Sequence, residues 1–354
     1  MRHVRPSGFG ADESRPAPAG GRVATMKAIV QDVYGDADVL ELRDIEKPEI
    51  GDDEALIRVH AAGVDRGVWH LMTGQAYLIR LVGYGFRKPK NPVRGREVAG
   101  RVEAVGKNVT RFRPGDAVMG VGEGTFAEYV RAPEEKLVPK PTNLTFEQAA
   151  AVPISATTAL QALRDKGHVQ PGQKVLIIGA SGGVGTYAVQ LAKAFGAEVT
   201  GVCSTAKVDL VRSIGADHVI DYTHEDFTGS GQLYDLILDI GGNRSLSHLR
   251  RALAPEGTLV LVGGEGGGRW IGGMDRQVRA LAISPFVRQK LTMFVAREHY
   301  EELQFLSELI EAGKVTPVID RTFSLSEVPD AIRYLDAGHS RGKLVISVRA
   351  DHVE

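Results

Sequence analysis

Residues 174–185 read Lys-Val-Leu-Ile-Ile-Gly-Ala-Ser-Gly-Gly-Val-Gly, and this stretch decides the fold. The apolar run Lys174–Ile178 predicts a buried strand. Apolar positions at helical spacing over Thr186–Phe195 predict a helix that begins near Gly183 and ends before Gly196. A glycine-rich turn from strand to helix suits a dinucleotide phosphate, because small residues admit the ligand and the helix N-terminus offers N–H donors. The predicted phosphate loop consists of Ala180, Ser181, Gly182, Gly183, Val184 and Gly185.

Strands and helices alternate along the chain that follows this loop. A helix is predicted over Lys207–Ile214. Further strands are predicted at Glu198–Val202, His218–Asp221, Leu233–Asp239 and Thr258–Val262. Strands that alternate with helices form parallel sheets through right-handed crossovers. We therefore predict an α/β protein with a doubly wound parallel sheet over residues 153–312.

Short strands between Gly/Pro turns precede this region and are typical of a β-barrel-like domain over residues 26–152. They are predicted at Lys27–Gln31, Ala55–Ala61, Val98–Val105, Ala117–Met119 and Thr125–Val130. Residues 1–25 are rich in Gly, Pro, Ala and Arg and are predicted to be a disordered tail, with Met26 as a possible true start.

The C-terminal segment, residues 313–354, returns to strand and turn character. Strands are predicted over Thr322–Leu325 and Lys343–Ser347, with a helix over Ser326–Leu335 between them. We expect these strands to rejoin the first domain.

Composition narrows the function. The 354 residues carry 43 Lys and Arg against 44 Asp and Glu, so the net charge of −1 offers no global basic field for nucleic acid. No apolar run reaches the 18 residues expected of a membrane span. Cys203 is the single cysteine, which excludes an internal disulfide and a multi-cysteine zinc site. These features predict a cytoplasmic protein, with Cys203 packed rather than nucleophilic.

The end of the second strand bears on the choice of cofactor. NAD binders usually carry an acid there for the ribose 2′-hydroxyl, and no acid lies between Cys203 and Lys207. Ser204, Thr205 and Lys207 could hold a 2′-phosphate, or the two hydroxyls could simply cap the following helix. The pattern favours NADPH and leaves NADH possible.

A series of short motifs in a fixed order carries a resemblance over residues 26–348. They are Gly95-Arg-Glu-Val-Ala-Gly100, Val102-Glu-Ala-Val-Gly106, Arg113-Pro-Gly-Asp116, Thr125-Phe-Ala-Glu-Tyr129, Ala151-Val-Pro153, Thr157-Thr-Ala-Leu160, Gly179–Gly185, Gly215-Ala-Asp217 and Gly342-Lys-Leu-Val345. In this order they resemble the medium-chain dehydrogenase/reductase superfamily. The resemblance implies a GroES-like β-barrel catalytic domain, a Rossmann cofactor domain and an active site in the cleft between them. It also implies cofactor contacts at Gly263 and Lys343 and a homodimer formed through the edge of the Rossmann sheet, at Thr258–Val262 and the segment after it.

Two substitutions point to one branch of that superfamily. Zinc-dependent members carry Cys in the segment that here reads Gly63-Val-Asp65, and His where this chain has Arg96. Their cysteine-rich structural zinc lobe is also absent from the sequence. The chain is therefore similar to the zinc-free quinone-oxidoreductase-like branch. In that branch Lys207 and Tyr222 would flank the adenosine phosphate of NADPH.

Three residues are candidates at the nicotinamide. Asp65 stands where that branch commonly has Asn, His70 lies near the position of a Tyr found in some members, and Thr158 matches a position beside the nicotinamide. Each also has a purely structural interpretation. Asp65 could be a turn residue, His70 a half-buried helix residue, and Thr158 a packed residue at the start of a helix.

Two further segments flank the predicted cleft. Residues 75–96 mix six basic residues with aromatic and aliphatic ones and contain no acid. We predict a loop or short helix whose apolar face packs over the cleft and whose charges face water, rather than a nucleic-acid or membrane surface. Such a segment could act as a lid that selects the substrate. The glycine run at residues 263–268 could close on the cofactor.

These observations predict an NADPH-dependent, zinc-independent oxidoreductase that transfers hydride to a quinone, enone or other carbonyl acceptor. Two alternatives remain open. One is a zinc-free NAD(P)-dependent alcohol or aldehyde dehydrogenase. The other is an NADPH-binding sensor or partner-binding protein with little turnover.

Overall fold

A computed structural model describes residues 24–75, 77, 80, 85–264 and 274–349. In these ranges the strands are β1 Thr25–Val30, β2 Glu41–Glu46, β3 Glu54–Val64, β4 Glu97–Val105, β5 Ala117–Val121, β6 Tyr129–Pro133, β7 Leu137–Pro139, β8 Lys174–Ile178, β9 Glu198–Cys203, β10 His218–Asp221, β11 Tyr234–Asp239, β12 Leu253–Leu261, β13 Lys290–Met293, β14 Ile319–Ser324 and β15 Lys343–Ser347. The α-helices are α1 Arg66–Thr73, α2 Phe146–Ala150, α3 Pro153–Gln161, α4 Gly183–Ala194, α5 Val208–Ser213, α6 Leu246–Ala252, α7 Met274–Ile283, α8 Tyr300–Glu311 and α9 Val328–Asp336.

Six parallel strands form the central sheet, in the order β10-β9-β8-β11-β12-β13. Strand β8 lies between β9 and β11, so the chain reverses its direction of travel across the sheet at the glycine loop. A reversal of this kind opens a crevice at the carboxyl ends of the strands, where nucleotides bind in such sheets. The predicted α/β doubly wound sheet is confirmed.

The edge of this sheet differs from the prediction. Strand β12 lies inside the sheet, and β13 at Lys290–Met293 pairs with it in parallel and forms the edge. The sequence pattern missed β13 because it has only four residues, of which only Leu291 is fully buried. So short and mixed a run carries little of the apolar pattern on which strand prediction depends.

A second sheet has the order β14-β15-β3-β4-β5-β7, with β6 paired to β3, and β1 and β2 form a separate antiparallel ribbon. The C-terminal β15 pairs antiparallel with β3 and parallel with β14. The last strands of the chain therefore lie in the sheet that the first segment builds.

Several predicted element boundaries are wrong. The strand predicted over Thr125–Val130 begins only at Tyr129, because Ala127 makes just an isolated bridge with Ala28 and the Phe126 N–H donates to the Arg94 carbonyl at 2.9 Å. The helix predicted over Ser326–Leu335 begins at Val328, after a 3-10 turn over Leu325–Glu327. The helix predicted from Lys207 opens with a single 3-10 turn over Thr205–Lys207. Thr25, which was assigned to the tail, lies in β1 and pairs with Glu46 of β2. Residues 1–23 lie outside the described ranges.

The two sheets meet beside the glycine loop. Gly182 forms an isolated parallel bridge with Gly342, directly before β15. Tyr187 of α4 is fully buried and donates a hydrogen bond to the Ala151 carbonyl at 3.0 Å. The glycine loop is thus held against the second sheet. None of the helices in the described ranges has the length and apolarity needed to span a bilayer.

Candidate cofactor and active site

The predicted phosphate loop joins β8 directly to α4, as its sequence predicts. Helix α4 begins after Gly182 without a side-chain cap, so its first N–H groups remain available to an anion. A Cβ on Gly185 would lie 2.8 Å from the Ala180 Cα, which leaves no room for a side chain. A Cβ on Gly182 would meet only the Gly179 carbonyl, at 3.6 Å, so the space beside Gly182 is open. Uncapped N–H groups beside open space are what a pyrophosphate site requires.

A buried ion pair joins the second sheet to this loop. The Lys343 ammonium contacts Glu97 Oε2, and the two side chains are 1% and 0% exposed. The Ile154 N–H donates to Glu97 Oε1 at 2.8 Å. On its other side Lys343 faces the loop, because its Cδ would lie 3.0 Å from a Cβ on Gly183. Burial raises the pKa of Glu97, and the positive charge of Lys343 opposes that rise.

Glu97 is a site residue that sequence reasoning missed. The sequence signal was only an acid at the start of an apolar strand. The structure pairs this acid with Gly63 of β3. A side chain at Gly63 would overlap the Glu97 carboxylate and approach the Ala150 carbonyl, so the absence of a Cβ there makes room for Glu97. The carboxylate therefore occupies a space built for it.

Asp65 belongs to the same cluster. Its Oδ1 accepts the Val68 N–H at 3.2 Å and caps α1, so Asp65 has a structural role as a helix cap and not as the turn residue that the structural interpretation predicted. Its Oδ2 is buried, and within the described ranges no donor reaches it. Its negative charge contributes to the raised pKa of Glu97. The cluster thus holds two carboxylates and one ammonium, and one carboxylate oxygen has no donor among the described residues.

The other two predicted catalytic residues have structural contacts. His70 is half-buried near the end of α1, with its ring edge-on to Trp69 at 5.1 Å between centroids. The Thr158 hydroxyl donates to the Ile154 carbonyl at 2.7 Å inside α3. The Ile154 N–H donates to Glu97, so Ile154 links Thr158 to the Lys343–Glu97 ion pair through two hydrogen bonds. The half-burial of His70 matches its structural interpretation, whereas Thr158 lies in the middle of α3 and not at its start. The catalytic roles of both residues remain predictions.

The predicted adenosine end lies beyond β9. Lys207 donates to the carbonyls of Ser340 at 2.9 Å and Gly338 at 3.2 Å, and burial lowers its pKa. These acceptors are backbone groups, so the Lys207 charge is not neutralised by them. The Ser204 side chain is half-buried and gives α5 no cap hydrogen bond.

Two charged side chains that the sequence analysis did not single out, Arg244 and Asp221, lie near the predicted adenosine end. Tyr222 is 49% exposed, and the Arg244 guanidinium lies 6.0 Å from its ring centroid. Thr205 and Thr223 share a hydrogen bond at 2.9 Å, and both bond Asp221, whose pKa falls to about 2. An ionised carboxylate therefore stands close to the predicted 2′-phosphate position.

A second buried ion pair organises the carboxyl ends of β11 and β12. Asp239 is fully buried, and Arg276 Nη2 lies 2.6 Å from its Oδ2. Arg276 also bonds the Arg244 carbonyl at 2.5 Å and the Gly263 carbonyl at 3.4 Å. Burial raises the pKa of Asp239, and Arg276 opposes that rise. Gly263 packs against Ile240 with no space for a side chain, while residues 265–268 of the predicted glycine run lie outside the described ranges.

The prediction that the charges of residues 75–96 face water is wrong for two arginines. The Arg80 guanidinium lies over the Tyr34 and Tyr77 rings, 4.3 and 4.7 Å from their centroids. Arg94 is only 8% exposed. Arg87, Lys88 and Lys90 are exposed as predicted. Residues 76, 78, 79 and 81–84, which include most of the predicted apolar face, lie outside the described ranges.

Neither a nucleophilic thiol nor a metal cluster emerges from the residues described. Cys203 is buried at the end of β9, and burial raises its pKa to about 11, which keeps the thiol neutral. The described ranges hold no group of three His, Cys, Asp or Glu side chains placed to ligate a metal ion.

Comparisons with known proteins agree with this architecture. The family described as alcohol dehydrogenase GroES-like domain matches residues 51–142, and that described as zinc-binding dehydrogenase matches residues 214–346. The NAD(P)H oxidoreductase RTN4IP1, mitochondrial, of Mus musculus is 36% identical over 92% of this chain and 90% of its own. The 2-methylene-furan-3-one reductase of Solanum lycopersicum is 35% identical over 91% and 79%. The structure of the quinone oxidoreductase from Coxiella burnetii has a TM-score of 0.81 at 30% identity, covering 92% of this chain and all of that one.

The two sheets, the glycine loop and these matches define a two-domain oxidoreductase that uses a nicotinamide cofactor. Within that class the chain belongs to the medium-chain dehydrogenase/reductase superfamily, in its quinone-oxidoreductase-like branch.

Proposed function

We propose that this chain uses NADPH to reduce a quinone, an enone or another carbonyl acceptor, and that it does so without zinc. The observation that carries the proposal is the open, uncapped phosphate loop held against the buried Lys343–Glu97 pair. Relatives named as quinone, alkenal/one and NAD(P)H oxidoreductases support the reaction class. The bound nicotinamide would supply the hydride.

The residues of the chain have distinct tasks in this reaction. The N–H groups at the start of α4, with Gly182 beside them, would bind the pyrophosphate. Lys343 would add a positive charge at the loop, and Glu97 would hold that ammonium in place. Asp65 and His70 are the polar groups that we assign to the acceptor side. An acceptor whose negative charge delocalises after reduction makes the smallest demand on such groups.

The zinc-free part of the proposal depends on two side chains. Asp65 and Arg96 stand where zinc-dependent relatives of this fold carry Cys and His ligands. A guanidinium stays protonated and cannot ligate zinc, and Arg96 lies 3.4 Å from the Glu298 carboxylate instead. Asp65 already uses one carboxylate oxygen to cap α1. A catalytic zinc would therefore lack most of its ligands.

Cofactor consumption by chelator-treated protein tests the proposal. We expect NADPH oxidation with quinones or enones at a rate that neither chelator nor added Zn²⁺ changes. Activity that returns only with Zn²⁺ would establish a metal dehydrogenase. Turnover confined to alcohols and aldehydes would favour the zinc-free dehydrogenase alternative. Tight NADPH binding without turnover of any acceptor would favour a sensor. In that case Asp65→Asn and His70→Gln would show no change in activity.

Lys207→Met provides a separate test of cofactor choice. One charge-assisted hydrogen bond is worth about 1.5–3 kcal/mol, so we expect NADPH affinity to fall about 10- to 100-fold. NADH lacks the 2′-phosphate, so its affinity should stay nearly constant. Fluorescence titration of both cofactors measures this, with Lys193→Met, which loses a surface pair to Asp217, as control. Equal losses for both cofactors would contradict a 2′-phosphate contact.

The cytoplasmic location and the homodimer that the sequence predicts remain proposals. The reducing compartment indicated by a single cysteine favours the cytoplasm, although relatives carry the words mitochondrial and chloroplastic in their names. If a homodimer forms through the edge of the parallel sheet, the strand that would make it is β13 at Lys290–Met293.

A further inference from the structure

A buried guanidinium near the start of β4 has a nitrogen, Nε, with no hydrogen-bond partner among the described residues. Arg94 is 8% exposed, and its Nε is buried with no hydrogen-bond acceptor in the described part of the chain. None of the ion pairs found among the described residues includes Arg94. A buried charge that lacks partners is costly, so such a group calls for an explanation.

A second orphaned polar atom lies on the same face. Val30 and Val93 form an isolated antiparallel bridge, flanked by hydrogen bonds from Gln31 N to the Pro92 carbonyl and from Arg94 N to the Ile29 carbonyl. Side chains alternate across extended chains, so Gln31 and Arg94 project to one face as diagonal neighbours. Gln31 is fully buried, and its Oε1 has no donor in the described ranges. An unused donor and an unused acceptor thus lie on one face of these two extended segments.

The charge around these two side chains is positive. Arg80 lies over the Tyr34 ring, and its Nε donates to the Gly74 carbonyl at 2.9 Å. Tyr34 donates to the Gly85 carbonyl at 2.7 Å, and the charges of both Arg80 and Arg94 lower its pKa against the effect of burial. Both guanidiniums therefore lie near the Tyr34 hydroxyl. Glu123 is the acid whose charge acts on Arg94, and its side chain is exposed to water.

We propose that Arg94 and Gln31, with Arg80 and Tyr34 around them, form a binding site for an oxyanion that also carries a hydroxyl proton. The oxyanion accepts from Arg94, and its hydroxyl donates to Gln31 Oε1. Hydrogenphosphate and a hydroxycarboxylate have this chemistry, whereas sulfate lacks the proton.

Such a ligand has two possible sources, a free anion or an anionic group of the acceptor. Three residues of extended chain span at most about 11 Å, so Arg94 lies within that reach of Glu97. An acceptor bound at the Glu97 cluster could therefore extend an anionic group to Arg94. The assignment to the acceptor rests on the proposed reductase function, whereas anion binding itself does not.

Thermal-shift and calorimetric titrations of the full chain with potassium phosphate test the site. Saturating NADP⁺ fills the phosphate loop, and chloride holds the ionic strength constant. We expect a saturable rise in melting temperature that is larger with phosphate than with sulfate. Arg94→Met should weaken phosphate binding about tenfold or more, as loss of a charge-assisted bond implies. Arg113→Met removes a side chain that is 87% exposed and should leave the titration unchanged.

The stability of Arg94→Met without phosphate separates a binding site from a structural arginine. Removing an unpaired buried charge should leave the melting temperature unchanged or raise it. A lower melting temperature together with an undiminished phosphate shift would overturn the proposal. Arg94→Lys, which keeps the charge but loses the planar fork, should bind phosphate with intermediate affinity. Equal binding by wild type, Arg94→Met and Arg94→Lys would also overturn it.

Kinetics with paired acceptors identify the source of the anion. If the acceptor supplies it, Arg94→Met raises KM for a carboxylate-bearing enone and leaves KM for its methyl ester unchanged. If phosphate is a separate ligand, both KM values stay constant while phosphate binding is still lost. If the chain reduces neither acceptor, the proposed function fails, and the phosphate titration still decides whether the site exists.

Discussion

Replacing Lys343 with Met should destabilise the protein by about 3–5 kcal/mol, because the change leaves the Glu97 carboxylate buried and uncompensated. Glu97 is fully buried, and its other described partner is one backbone N–H, from Ile154. Glu97→Gln should also be costly, since it leaves the Lys343 ammonium without its counter-charge. Urea unfolding of the cofactor-free protein gives both values.

The double variant Glu97→Gln, Lys343→Met should recover most of that loss. It replaces the ion pair with two neutral side chains of similar length, and such replacements are often close to neutral. The surface pair of Lys107 and Asp52, at 2.8 Å and more than half exposed, is the matched control. Its double-mutant cycle should give no more than about 1 kcal/mol. A Lys343–Glu97 coupling as small as that would contradict a buried ion pair.

The loss in Lys343→Met should also depend on pH. Burial raises the pKa of Glu97, so the folded state binds a proton more readily than the unfolded state. Between the unfolded pKa of about 4.3 and the raised folded value, stability therefore falls as pH rises. Lys343→Met should be most destabilised near neutral pH and should regain stability as the pH is lowered towards 5. A loss that does not change with pH would show that Glu97 is not its cause.

Cofactor affinity gives this prediction a second readout. If Lys343 serves only to neutralise Glu97, the double variant should regain both stability and NADPH binding. If Lys343 also contacts the cofactor, stability returns and NADPH binding stays about tenfold weaker, the value of one charge-assisted bond. We expect the second outcome, because Lys343 packs against Gly183.

The parts of the fold that could be predicted are those that a short stretch of sequence specifies by its own apolar and polar pattern. Strands β8 at Lys174–Ile178 and β15 at Lys343–Ser347 have the predicted bounds, because each is a short run whose burial is visible in its composition. The phosphate loop was predictable because a strand, a glycine cluster and an amphipathic helix follow one another directly. Strand β13 was missed because four residues of mixed polarity carry no such pattern.

The electrostatic core of the site could not be predicted, because it depends on contacts between distant segments. Glu97 and Lys343 are 246 positions apart, and neither residue type is expected to be fully buried until its partner is known. Asp239 and Arg276 form a similar buried pair between a strand and a later helix. Arg94 was assigned to a water-facing charge run, since composition alone does not show which members of such a run turn inward.

The substitution Gly182→Ala, which adds one methyl group to the predicted phosphate loop, should weaken cofactor binding without unfolding the protein. Gly182 has a φ of −85°, which any residue adopts, and a Cβ there would meet only the Gly179 carbonyl, at 3.6 Å. Gly182→Ala should therefore cost less than about 1 kcal/mol of stability. If the open space beside Gly182 admits the pyrophosphate, the methyl group should weaken NADPH and NADH binding alike, by about tenfold or more.

Two other glycines provide the comparison that makes this result decisive. A side chain at Gly185 would overlap the loop backbone, so Gly185→Ala should lose both cofactor binding and about 1–3 kcal/mol of stability. Gly51 is remote and exposed, and Gly51→Ala should change neither property. Fluorescence titration and thermal unfolding of the three variants give both readouts. If Gly182→Ala binds both cofactors as tightly as the wild type, the pyrophosphate does not lie on this loop, and the function proposed for the chain loses its main support.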